Sequence, residues 1–423
     1  MADLDLLPAL PEKRLAVRVT PDAFRQVRSG HPWVYAEAIT SVRGGPVGDA
    51  PPGTLAVIFD EDREFAAIGL WDPDSPIRLR VLHAGKPRAI DGEFWEDRIR
   101  SAHELRRHLV AEGTTGYRLV NGENDGTSGL IVDVYSDVAV LKIYTPAWFP
   151  HLRAVVEALT NLIQPGSVVV RLGRLVEKLP KAARYGLVDG CVIAGRAIEG
   201  PVLFTENGLT FEADVLQGQK TGHFLDQREN RQRVRAQSDG ASVLDVFSCT
   251  GGFSVYAAAG GATRVHSVDQ SPQALAAAER NMAHNATLTS STTHELTTDD
   301  AFRVMDRLAH AGEQFDIVVI DPPAFASRAS ERDAAIRAYR KLAELGVRLA
   351  RPGGLLVQAS CSSRIDEDNF VATVRAAIRA QGRSLDHYEV TGHAIDHPVT
   401  FPQGRYLKAI FATVGFEIGR IPG

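Results

Sequence analysis

The chain has 423 residues, of which 44% are apolar and 23% charged, and its formal net charge is −5. This composition is typical of a globular enzyme of about two or three domains and argues against a nucleic-acid binder that acts through bulk positive charge. Three cysteines are too few for a disulfide framework, no Cys/His cluster indicates a metal site, and no apolar run reaches the ~18 residues of a membrane span. The first residues, MADLDLLPALPEKR, lack the basic start and apolar core of a signal peptide, which predicts a cytoplasmic protein.

The N-terminal part of the chain has the pattern of a small β-barrel, preceded by a loose leader over residues 1–13. Short apolar runs alternate with turn residues, which is typical of short strands joined by tight loops. The runs are Leu15–Val19, Leu55–Phe59, Ala66–Leu70 and Ile77–Leu82, and the turns include Gly44-Gly45-Pro46, Pro51-Pro52-Gly53 and Asp72-Pro73-Asp74. We therefore expect a small β-domain over residues 14–85.

The next stretch mixes helical and strand patterns and predicts an α+β middle domain over residues 90–200. Residues 91–112 are charged with apolar residues at helical spacing, and Leu152–Ile163 is amphipathic. The predicted strands are Gly129–Val134, Val138–Tyr144 and Val168–Leu172, and the first two are close enough to form a hairpin.

From residue 206 onward strands and helices alternate, which indicates a mostly parallel sheet covered on both faces. The predicted strands are Val243–Phe247, Val265–Val268, Ile317–Ile320 and Leu355–Ala359. The predicted helices are Ser254–Ala259, Pro272–Asn285, Ala301–Ala311, Glu331–Ala350 and Glu367–Arg379. We therefore expect a doubly wound, Rossmann-like α/β domain over residues 206–423.

The segment 243–253 runs from a buried strand through a turn containing Gly251 and Gly252 into a helix. In doubly wound sheets, ligands bind at the carboxyl ends of strands beside such turns, and glycine lets the backbone approach the ligand closely. The next strand ends at Asp269, whose carboxylate can accept both hydroxyls of a ribose. The alternative is a Gly-Gly turn that serves packing alone.

This turn differs from the GxGxxG pattern of dinucleotide sites, because Asp245 stands where it would repel a pyrophosphate. A cationic ligand suits the carboxylate better, and S-adenosylmethionine carries a sulfonium and an ammonium group. Asp300 opens a helix after the third strand, where it can accept from an adenine amine, cap the helix, or do both. Together these carboxylates predict S-adenosylmethionine as the cofactor.

The fourth strand of this domain is followed by Asp321-Pro322-Pro323-Ala324-Phe325. Two prolines fix the backbone dihedral angles at the strand's carboxyl end. They would hold the Asp321 carboxylate and two carbonyl groups rigidly, with Phe325 available to stack on a planar base. The alternative is a turn that only ends the strand.

Cys361 follows the fifth strand and is expected at the same edge of the sheet as Asp321. A cysteine there suits methylation of carbon 5 of a pyrimidine, because a thiolate that adds to carbon 6 turns carbon 5 into a nucleophile. The thiolate form requires nearby positive charge or backbone N–H groups. The alternatives are an inert buried cysteine and the use of Cys249, which we interpret as a small filler in the glycine turn.

Several motifs extend this interpretation from the C-terminal part to nearly the whole chain. They are Gly30-His31-Pro32-Trp33-Val34-Tyr35, Val120–Gly126 with Gly129-Leu130, Gln219–Arg228, and Asp396-His397-Pro398 with Tyr406-Leu407-Lys408. Together they resemble the family of bacterial 23S ribosomal RNA cytosine-5 methyltransferases. In that family a class I methyltransferase domain, with a seven-stranded sheet, follows an RNA-binding PUA domain. The segment Gln219–Arg228 is the most specific match.

The resemblance implies roles for the residues that match. At the cofactor site, the residues implied to line the pocket are Phe224, Asp226, Gln227, Arg228 and Phe247. Asp245, Gly251 and Gly252 would surround the methionine end, Asp269 would bind the ribose, and Asp300 would bind the adenine. Those of the substrate site are Asp321, Pro322, Pro323 and Phe325 around the target base, with Cys361 as the nucleophile. The chain departs from the family at Ala324, where lysine is usual, and at His223 and Cys249, where aromatic residues are common.

The expected partner is RNA, ribosomal RNA in particular, without membrane association. A homodimer is compatible with the sequence, although no motif specifies it. Candidate RNA contacts are the basic stretch 78–107 and the helical face of Arg228, Arg231 and Arg235. The competing hypotheses are methylation of a base nitrogen with Cys361 as a bystander, a non-catalytic RNA-binding scaffold, and a small-molecule methyltransferase, which leaves the first 200 residues unexplained.

Overall fold

This computed structural model describes residues 4–43, 50–326 and 328–417, so the predicted turn at Gly44-Gly45-Pro46 lies outside the described residues. The chain divides into two compact units. Unit 1 takes the described residues of Met1–Gly208, Glu212–His223 and Asp396–Phe401, and unit 2 those of Leu209–Phe211, Phe224–Ile395 and Pro402–Gly423. The finer domain limits at 14–85, 90–200 and 206–423 stay predictions. Across the described ranges, no helix is both long and apolar enough to cross a bilayer.

Unit 1 begins with a six-stranded sheet. Its strands are β1 (Leu15–Val19), β2 (Trp33–Tyr35), β3 (Ile39–Arg43), β4 (Leu55–Phe59), β5 (Phe65–Trp71) and β6 (Ile77–Ala84). They follow the order β2-β6-β5-β4-β1-β3, with β1 parallel to β4. Helix α1 (Pro21–Arg28) begins after Thr20, whose hydroxyl accepts a hydrogen bond from the Ala23 N–H. Closure of this sheet into a barrel stays a prediction, because the described residues record no pairing between β2 and β3.

The rest of unit 1 contains a five-stranded sheet and three helices. The strands are β7 (Gly116–Asn121), β8 (Leu130–Tyr135), β9 (Val138–Ile143), β10 (Ser167–Leu172) and β11 (Cys191–Gly195), and the helices are α2 (Gly92–Ala111), α3 (Leu152–Ile163) and α4 (Arg174–Glu177). The predicted hairpin is β8–β9, which pairs antiparallel. One continuous apolar core joins Leu70 and Leu82 of the first sheet to Trp95 of α2 and Leu141 of β9. The two sheets of unit 1 therefore share a core.

A buried ion pair stabilises the centre of unit 1. The Arg106 guanidinium donates to both carboxylate oxygens of Asp125, at 3.0 and 2.7 Å, and also to the carbonyls of Ala102, Arg118 and Asp396. Its side chain is 1% exposed. Because every hydrogen-bonding direction of this guanidinium is used, the charge is compensated although it lies in the interior.

Unit 2 contains a seven-stranded sheet. Strands β12 (Val202–Glu206) and β13 (Leu209–Ala213) precede this sheet in the chain and are not part of it. The strands of the sheet are β14 (Ser242–Val246), β15 (Arg264–Asp269), β16 (Thr293–Thr298), β17 (Phe315–Ile320), β18 (Ala350–Ser360), β19 (Arg383–Thr391) and β20 (Lys408–Glu417). The order is β16-β15-β14-β17-β18-β20-β19. Strands β14 to β18 are mutually parallel, whereas β20 is antiparallel to both of its neighbours.

Seven helices accompany this sheet among the described residues. They are α5 (Arg228–Arg235), α6 (Gly252–Ala259), α7 (Pro272–His284), α8 (Ala286–Thr289), α9 (Ala301–His310), α10 (Arg332–Leu349) and α11 (Glu367–Ala380). Helices α9, α10 and α11 share an apolar core with the sheet through Met305, Tyr339 and Phe370. The doubly wound α/β fold and its seven strands are confirmed. The parallel strands end at one edge, called the carboxyl rim here, which is the edge where such sheets bind ligands.

We expect Arg106→Leu to lower the free energy of unfolding by about 3–5 kcal/mol, because it leaves the buried Asp125 carboxylate without its partner. Urea unfolding followed by circular dichroism measures this loss. Arg107→Leu is the matched control, since its side chain is 75% exposed and pairs with exposed Glu104, a contact worth ~0–1 kcal/mol. Equal losses in the two variants would contradict the assignment.

Candidate active site

The loop between β14 and α6 holds its backbone in a strained conformation at the carboxyl rim. Phe247 and Cys249 have φ angles of 63° and 49°, in the left-handed region that non-glycine residues seldom adopt. The Asn281 amide donates to the Thr250 carbonyl at 2.9 Å and so fixes the loop from α7. Strain of this kind costs about 1–3 kcal/mol per residue and concentrates at functional sites.

The two glycines of this loop have packing reasons for being glycine. Gly251 has a φ of 77°, and a Cβ there would lie 2.7 Å from the Cβ of Ala278 in α7. A Cβ on Gly252 would lie 3.1 Å from the Cδ of Arg231. The loop therefore needs glycine in order to pack tightly, and the expected contact of both residues with the cofactor stays a prediction.

Asp245 lies in β14, two residues before Phe247, and is 1% exposed. Its Oδ2 accepts from the N–H and the hydroxyl of Ser254, at 3.0 and 2.6 Å, while its buried Oδ1 has no hydrogen-bond partner. Burial raises the pKa of Asp245 to about 7, the Ser254 bonds oppose that rise, and the charges of Asp321 and Asp269 add to it. The site therefore brings three carboxylates within electrostatic range of one another.

Asp269 and Asp300 lie at neighbouring strand ends of the same rim. Both Asp269 oxygens accept backbone N–H groups, from Cys249 at 3.0 Å and Ser271 at 2.9 Å. Asp300 caps α9, since its Oδ1 accepts from the Arg303 N–H at 3.1 Å. The expected helix cap is present, and both carboxylates keep further acceptor capacity for a ligand.

The segment Phe224–Arg228 is tied to α5 and to the C-terminal part of unit 2. Arg231 donates to the Phe224 carbonyl at 2.8 Å, and Asn230 donates to the Gln227 side chain at 2.6 Å. Asp226 is buried, and its Oδ2 accepts from the Tyr406 hydroxyl at 2.9 Å. Because the Arg231 side chain also lies against Gly252, it brings this segment next to the glycine turn.

The Asp-Pro-Pro segment leaves β17 beside β14. The Asp321 N–H donates to the Val246 carbonyl at 3.3 Å, and its side chain is half-buried. Pro322 is buried and Pro323 is exposed. The Phe325 ring packs on Tyr339 at 5.1 Å between centroids, so it has a structural partner besides any base.

Cys361 follows β18, and its Sγ lies 4.0 Å from the Pro322 carbonyl oxygen. Two hydroxyl groups fix the backbone around it. Ser362 donates to the Ala326 carbonyl at 2.9 Å, and Ser360 donates to the Tyr339 hydroxyl at 2.9 Å. These contacts hold the thiol against the Asp-Pro-Pro segment. Burial raises the pKa of the Cys249 thiol to about 11, with the nearby Asp269 adding to the rise, which disfavours Cys249 as a nucleophile.

Lys408 of β20 is paired directly with Ser360 of the neighbouring strand β18. The Nζ is buried and donates to the carbonyls of Ser362, Ile365 and Tyr406, and over the described ranges no carboxylate forms an ion pair with it. Burial lowers the pKa of Lys408 to about 8, and a negative charge on Cys361 opposes that fall. A positive charge thus lies within electrostatic range of the thiol.

Sequence reasoning assigned no role to Ser254, Tyr406 or Lys408. Tyr406 and Lys408 belong to a quoted motif, but Tyr406 bonds to Asp226, 180 residues away, and Lys408 bonds to carbonyls 46 and 43 residues away as well as to that of Tyr406. The basic face predicted for Arg228, Arg231 and Arg235 is wrong as a solvent-exposed strip, because Arg228 and Arg231 are 1% and 2% exposed.

The basic stretch 78–107 is also largely occupied by internal contacts. The ion pairs are Arg80–Asp72, Arg88–Asp97, Arg100–Asp97, Arg106–Asp125 and Arg107–Glu104. A surface whose guanidinium groups are already paired attracts phosphate weakly, so RNA contacts are expected elsewhere.

The residues at the carboxyl rim fit a cationic ligand. An unpartnered buried oxygen on Asp245 and the neighbouring carboxylates of Asp269 and Asp321 favour positive charge. The methionine end of S-adenosylmethionine carries a sulfonium and an ammonium group, and its ribose offers hydroxyl donors to Asp269. Residues and ligand therefore match in charge and in hydrogen-bonding capacity.

Comparison with known proteins agrees with this geometry. A crystal structure of a methyltransferase complexed with SAH aligns with a TM-score of 0.78 at 20% identity, covering 94% of this chain and all of that one. The fold is therefore that of a class I methyltransferase. Residues 126–403 match the family described as S-adenosylmethionine-dependent methyltransferase, and residues 17–84 match a PUA-like domain.

Similar full-length proteins extend the match. A Deinococcus radiodurans protein named "Ribosomal RNA large subunit methyltransferase" is 46% identical over 409 residues, which cover 96% of this chain and 98% of the relative. A Shewanella denitrificans protein named "Ribosomal RNA large subunit methyltransferase I" is 34% identical over 404 residues, covering 95% and 99%. The chain belongs to the family of S-adenosylmethionine-dependent methyltransferases, so it is an enzyme with S-adenosylmethionine as its cofactor.

We expect the affinity for S-adenosylmethionine to fall about fivefold from pH 7 to pH 6, because a carboxyl with a pKa near 7 becomes protonated there and no longer attracts a cation. Above about pH 8 the affinity levels off. Calorimetry with the purified enzyme measures this profile. Asp245→Asn should bind more weakly and without the pH dependence, and exposed Asp239→Asn should behave as the parent. A flat profile in the parent would contradict the role of Asp245.

Proposed function

We propose that this enzyme methylates carbon 5 of a cytosine in large-subunit ribosomal RNA, with Cys361 as the covalent nucleophile. The observation that carries the proposal is the position of the Cys361 thiol, 4.0 Å from the Pro322 carbonyl at the rim that also holds Asp245, Asp269 and Asp321. A nucleophile, a base-binding segment and a site for a cationic cofactor thus lie at one edge of one sheet.

The cofactor residues have distinct roles in this proposal. Asp245 attracts the positive charges, with Phe247, Gly251 and Gly252 around the methionine end. Asp269 accepts from the ribose and Asp300 from the adenine, and Phe224, Asp226, Gln227 and Arg228 complete the lining. When bound, S-adenosylmethionine supplies an electrophilic methyl group.

Cys361 activates the target base. A thiolate that adds to carbon 6 gives carbon 5 the electron density to attack a methyl group, and loss of the carbon 5 proton then expels the thiol. The thiolate is the reactive form, and the Lys408 ammonium stabilises it through its charge. Because Lys408 is held by three carbonyls, its charge is not neutralised by a carboxylate within the described part of the chain.

Asp321 holds the base through its carboxylate, and the buried Pro322 keeps the adjoining carbonyl fixed beside the thiol. A base inside a duplex cannot enter such a site, so the target nucleotide must be single-stranded or flipped out of its helix. Pro323 and Phe325 extend the substrate site on the same segment.

RNA binding is supported by a groove of about 260 Å³ in the six-stranded sheet of unit 1. Arg18, Arg43 and Arg63 line it together with Phe59. No ion pair of these arginines is recorded among the described residues. Free guanidinium groups around an aromatic ring suit a phosphate chain with a stacked base. The names of the relatives support ribosomal RNA of the large subunit as the substrate.

A second candidate is methylation of a base nitrogen. The Asp321 carboxylate and the Pro322 carbonyl are acceptors that could hold an amine directly, and Cys361 would then contribute only packing. The two reactions differ in their dependence on the thiol and in the modified nucleoside that forms.

We expect Cys361→Ala to lose methyl transfer at least about 1000-fold while binding S-adenosylmethionine within twofold of the parent, because the thiolate acts on the base only. The substrate is large-subunit ribosomal RNA from a strain that lacks the enzyme, and nucleoside mass spectrometry measures 5-methylcytosine. Cys249→Ala is the matched control and should stay active. Near-normal turnover of Cys361→Ala would favour the nitrogen reaction, and the absence of any new methylated nucleoside with the parent enzyme would reject this substrate.

We expect Lys408→Met to slow alkylation of Cys361 by iodoacetamide about tenfold at pH 7.5, because removing the nearby charge raises the pKa of the thiol. Peptide mass spectrometry follows Cys361, with Cys191 as the internal reference. Lys408→Arg keeps the charge and should restore most of the reactivity. A Lys408→Met enzyme with the parent's alkylation profile would remove Lys408 from the mechanism.

In the parent, loss of the Lys408 charge above about pH 8 should lower kcat.

A further inference from the structure

A groove of about 430 Å³ lies in unit 2 between α11 and β19. Its lining includes Arg375, Arg379 and Arg383, together with Asp386 and Tyr388. Sequence reasoning singled out none of these residues, and the proposed reaction uses none of them. The volume is sufficient for a nucleotide-sized ligand.

This groove does not belong to the carboxyl rim. Strand β19 is antiparallel to β20, which is itself antiparallel to β18, so β19 and β18 run in the same direction. Arg383 begins β19, whereas Cys361 follows the end of β18. Arg383 and the thiol therefore lie near opposite ends of these strands, separated by roughly 30 Å for a nine-residue strand, and the groove extends from Arg383 along β19 to Tyr388.

Two arginines in the groove have buried donors without acceptors. Arg383 is 8% exposed, and it donates to the carbonyls of Gly415 at 2.6 Å and Ala350 at 3.4 Å. Its buried Nη2 has no hydrogen-bond partner, and neither has the buried Nε of Arg375. An unsatisfied buried donor is costly, so both groups favour an acceptor such as an anion oxygen.

The charges that face the groove remain positive after its acidic residues are considered. Asp386 is engaged by the Ser384 hydroxyl at 2.8 Å, and it interacts with Arg383 together with Glu417. Arg379 is exposed and forms no ion pair with any residue that the structure describes. Three guanidinium groups thus stand against one carboxylate of the lining, Asp386, and the neighbouring Glu417.

The local backbone explains how these side chains come together. The pairing of β19 with β20 shifts register between Arg383 and Leu385 and again between Leu385 and His387. Such irregularities are common on edge strands, where they turn side chains away from the regular alternation. The Arg375 guanidinium lies 5.0 Å from the Tyr388 ring centroid and is thereby oriented in the groove.

We propose that this groove binds a phosphodiester of the RNA substrate at a distance from the target base. The inference rests on the proposed function, because it takes RNA as the substrate. A polyanion is favoured over a small metabolite because the groove is open at exposed Arg379 and at the half-exposed Tyr388 ring. A polymer bound to the unpartnered donors could therefore continue along the protein surface. The contact would make the footprint on RNA longer than the catalytic rim alone requires.

The test measures RNA affinity with the full-length enzyme. The probe is a fluorescein-labelled transcript of large-subunit ribosomal RNA, and anisotropy gives Kd between 50 and 300 mM KCl, about the range over which phosphate contacts are weakened. The variants are Arg375→Ala and Arg379→Ala. Arg383 is left unchanged because it supports backbone carbonyls. Arg340→Ala is the matched control, since Arg340 is an exposed helical arginine already paired with Glu344 at 3.1 Å.

Each groove variant should weaken RNA binding about three- to tenfold at 100 mM KCl and reduce the slope of log Kd against log salt by about 1. The affinity for S-adenosylmethionine should stay within twofold in all variants, and Arg340→Ala should bind RNA like the parent. Groove variants that match Arg340→Ala in Kd and slope would overturn the inference.

Inorganic phosphate distinguishes a nucleic-acid site from a site for small anions. Calorimetry with 10 mM phosphate tests for a small-anion site, whose binding heat would be lost in Arg375→Ala. If that heat is lost while the RNA affinity of Arg375→Ala is unchanged, the inference is also overturned. A parent enzyme that does not bind the transcript would instead reject RNA as the substrate. The failure of this inference and the failure of the proposed function therefore give different results.

Discussion

The carboxylate of Asp245 is the constraint on which the rest of the active site depends. It is buried with one oxygen unpartnered and with Asp269 and Asp321 in electrostatic range, so its charged form is costly without a cation. The strained loop at Phe247 and Cys249 follows it in the chain, and the Ser254 hydrogen bonds fix its second oxygen. Because these costs are present before ligand binding, a cationic ligand can relieve them and gain affinity from that relief.

The substrate-binding part of the site depends on contacts that connect the loop after β17 to the loop after β18. The Ser362–Ala326 hydrogen bond and the contact of Cys361 with Pro322 join the segments after β17 and β18, and the Ser360–Tyr339 bond joins the end of β18 to α10. A nucleophile must be held close to a reacting geometry before the base arrives. Lys408 contributes to this arrangement in two ways. Its Nζ donates hydrogen bonds to the carbonyls after Cys361, and it supplies a positive charge near the thiol.

Much of the catalytic unit could be predicted from sequence, because buried parallel strands are continuous apolar runs and their carboxyl ends carry the polar residues. That is why the strand pattern alone places Asp245, Asp269, Asp321 and Cys361 at one edge of the sheet. Periodicity does not reveal which charges are buried, so it predicts a surface strip for the arginines of α5 although Arg228 and Arg231 are interior. Tyr406 and Lys408 meet partners from distant segments, and only the order β18-β20-β19 brings them to the site. Gly251 was interpreted through its ligand, whereas the approach of Ala278 already requires glycine.

The net charge of −5 and an RNA substrate are compatible because phosphate recognition depends on local rather than total charge. In the stretch 78–107 most arginines of the described residues are paired with a carboxylate or bonded to carbonyls, so they contribute little field outside the protein. Two arginines of the groove between α11 and β19 differ, because Arg375 and Arg383 each keep one buried donor without an acceptor. A few such positions attract a polyanion at defined points, whereas a uniformly basic surface would hold it in many registers. Local placement therefore favours one register and orientation of a bound RNA chain.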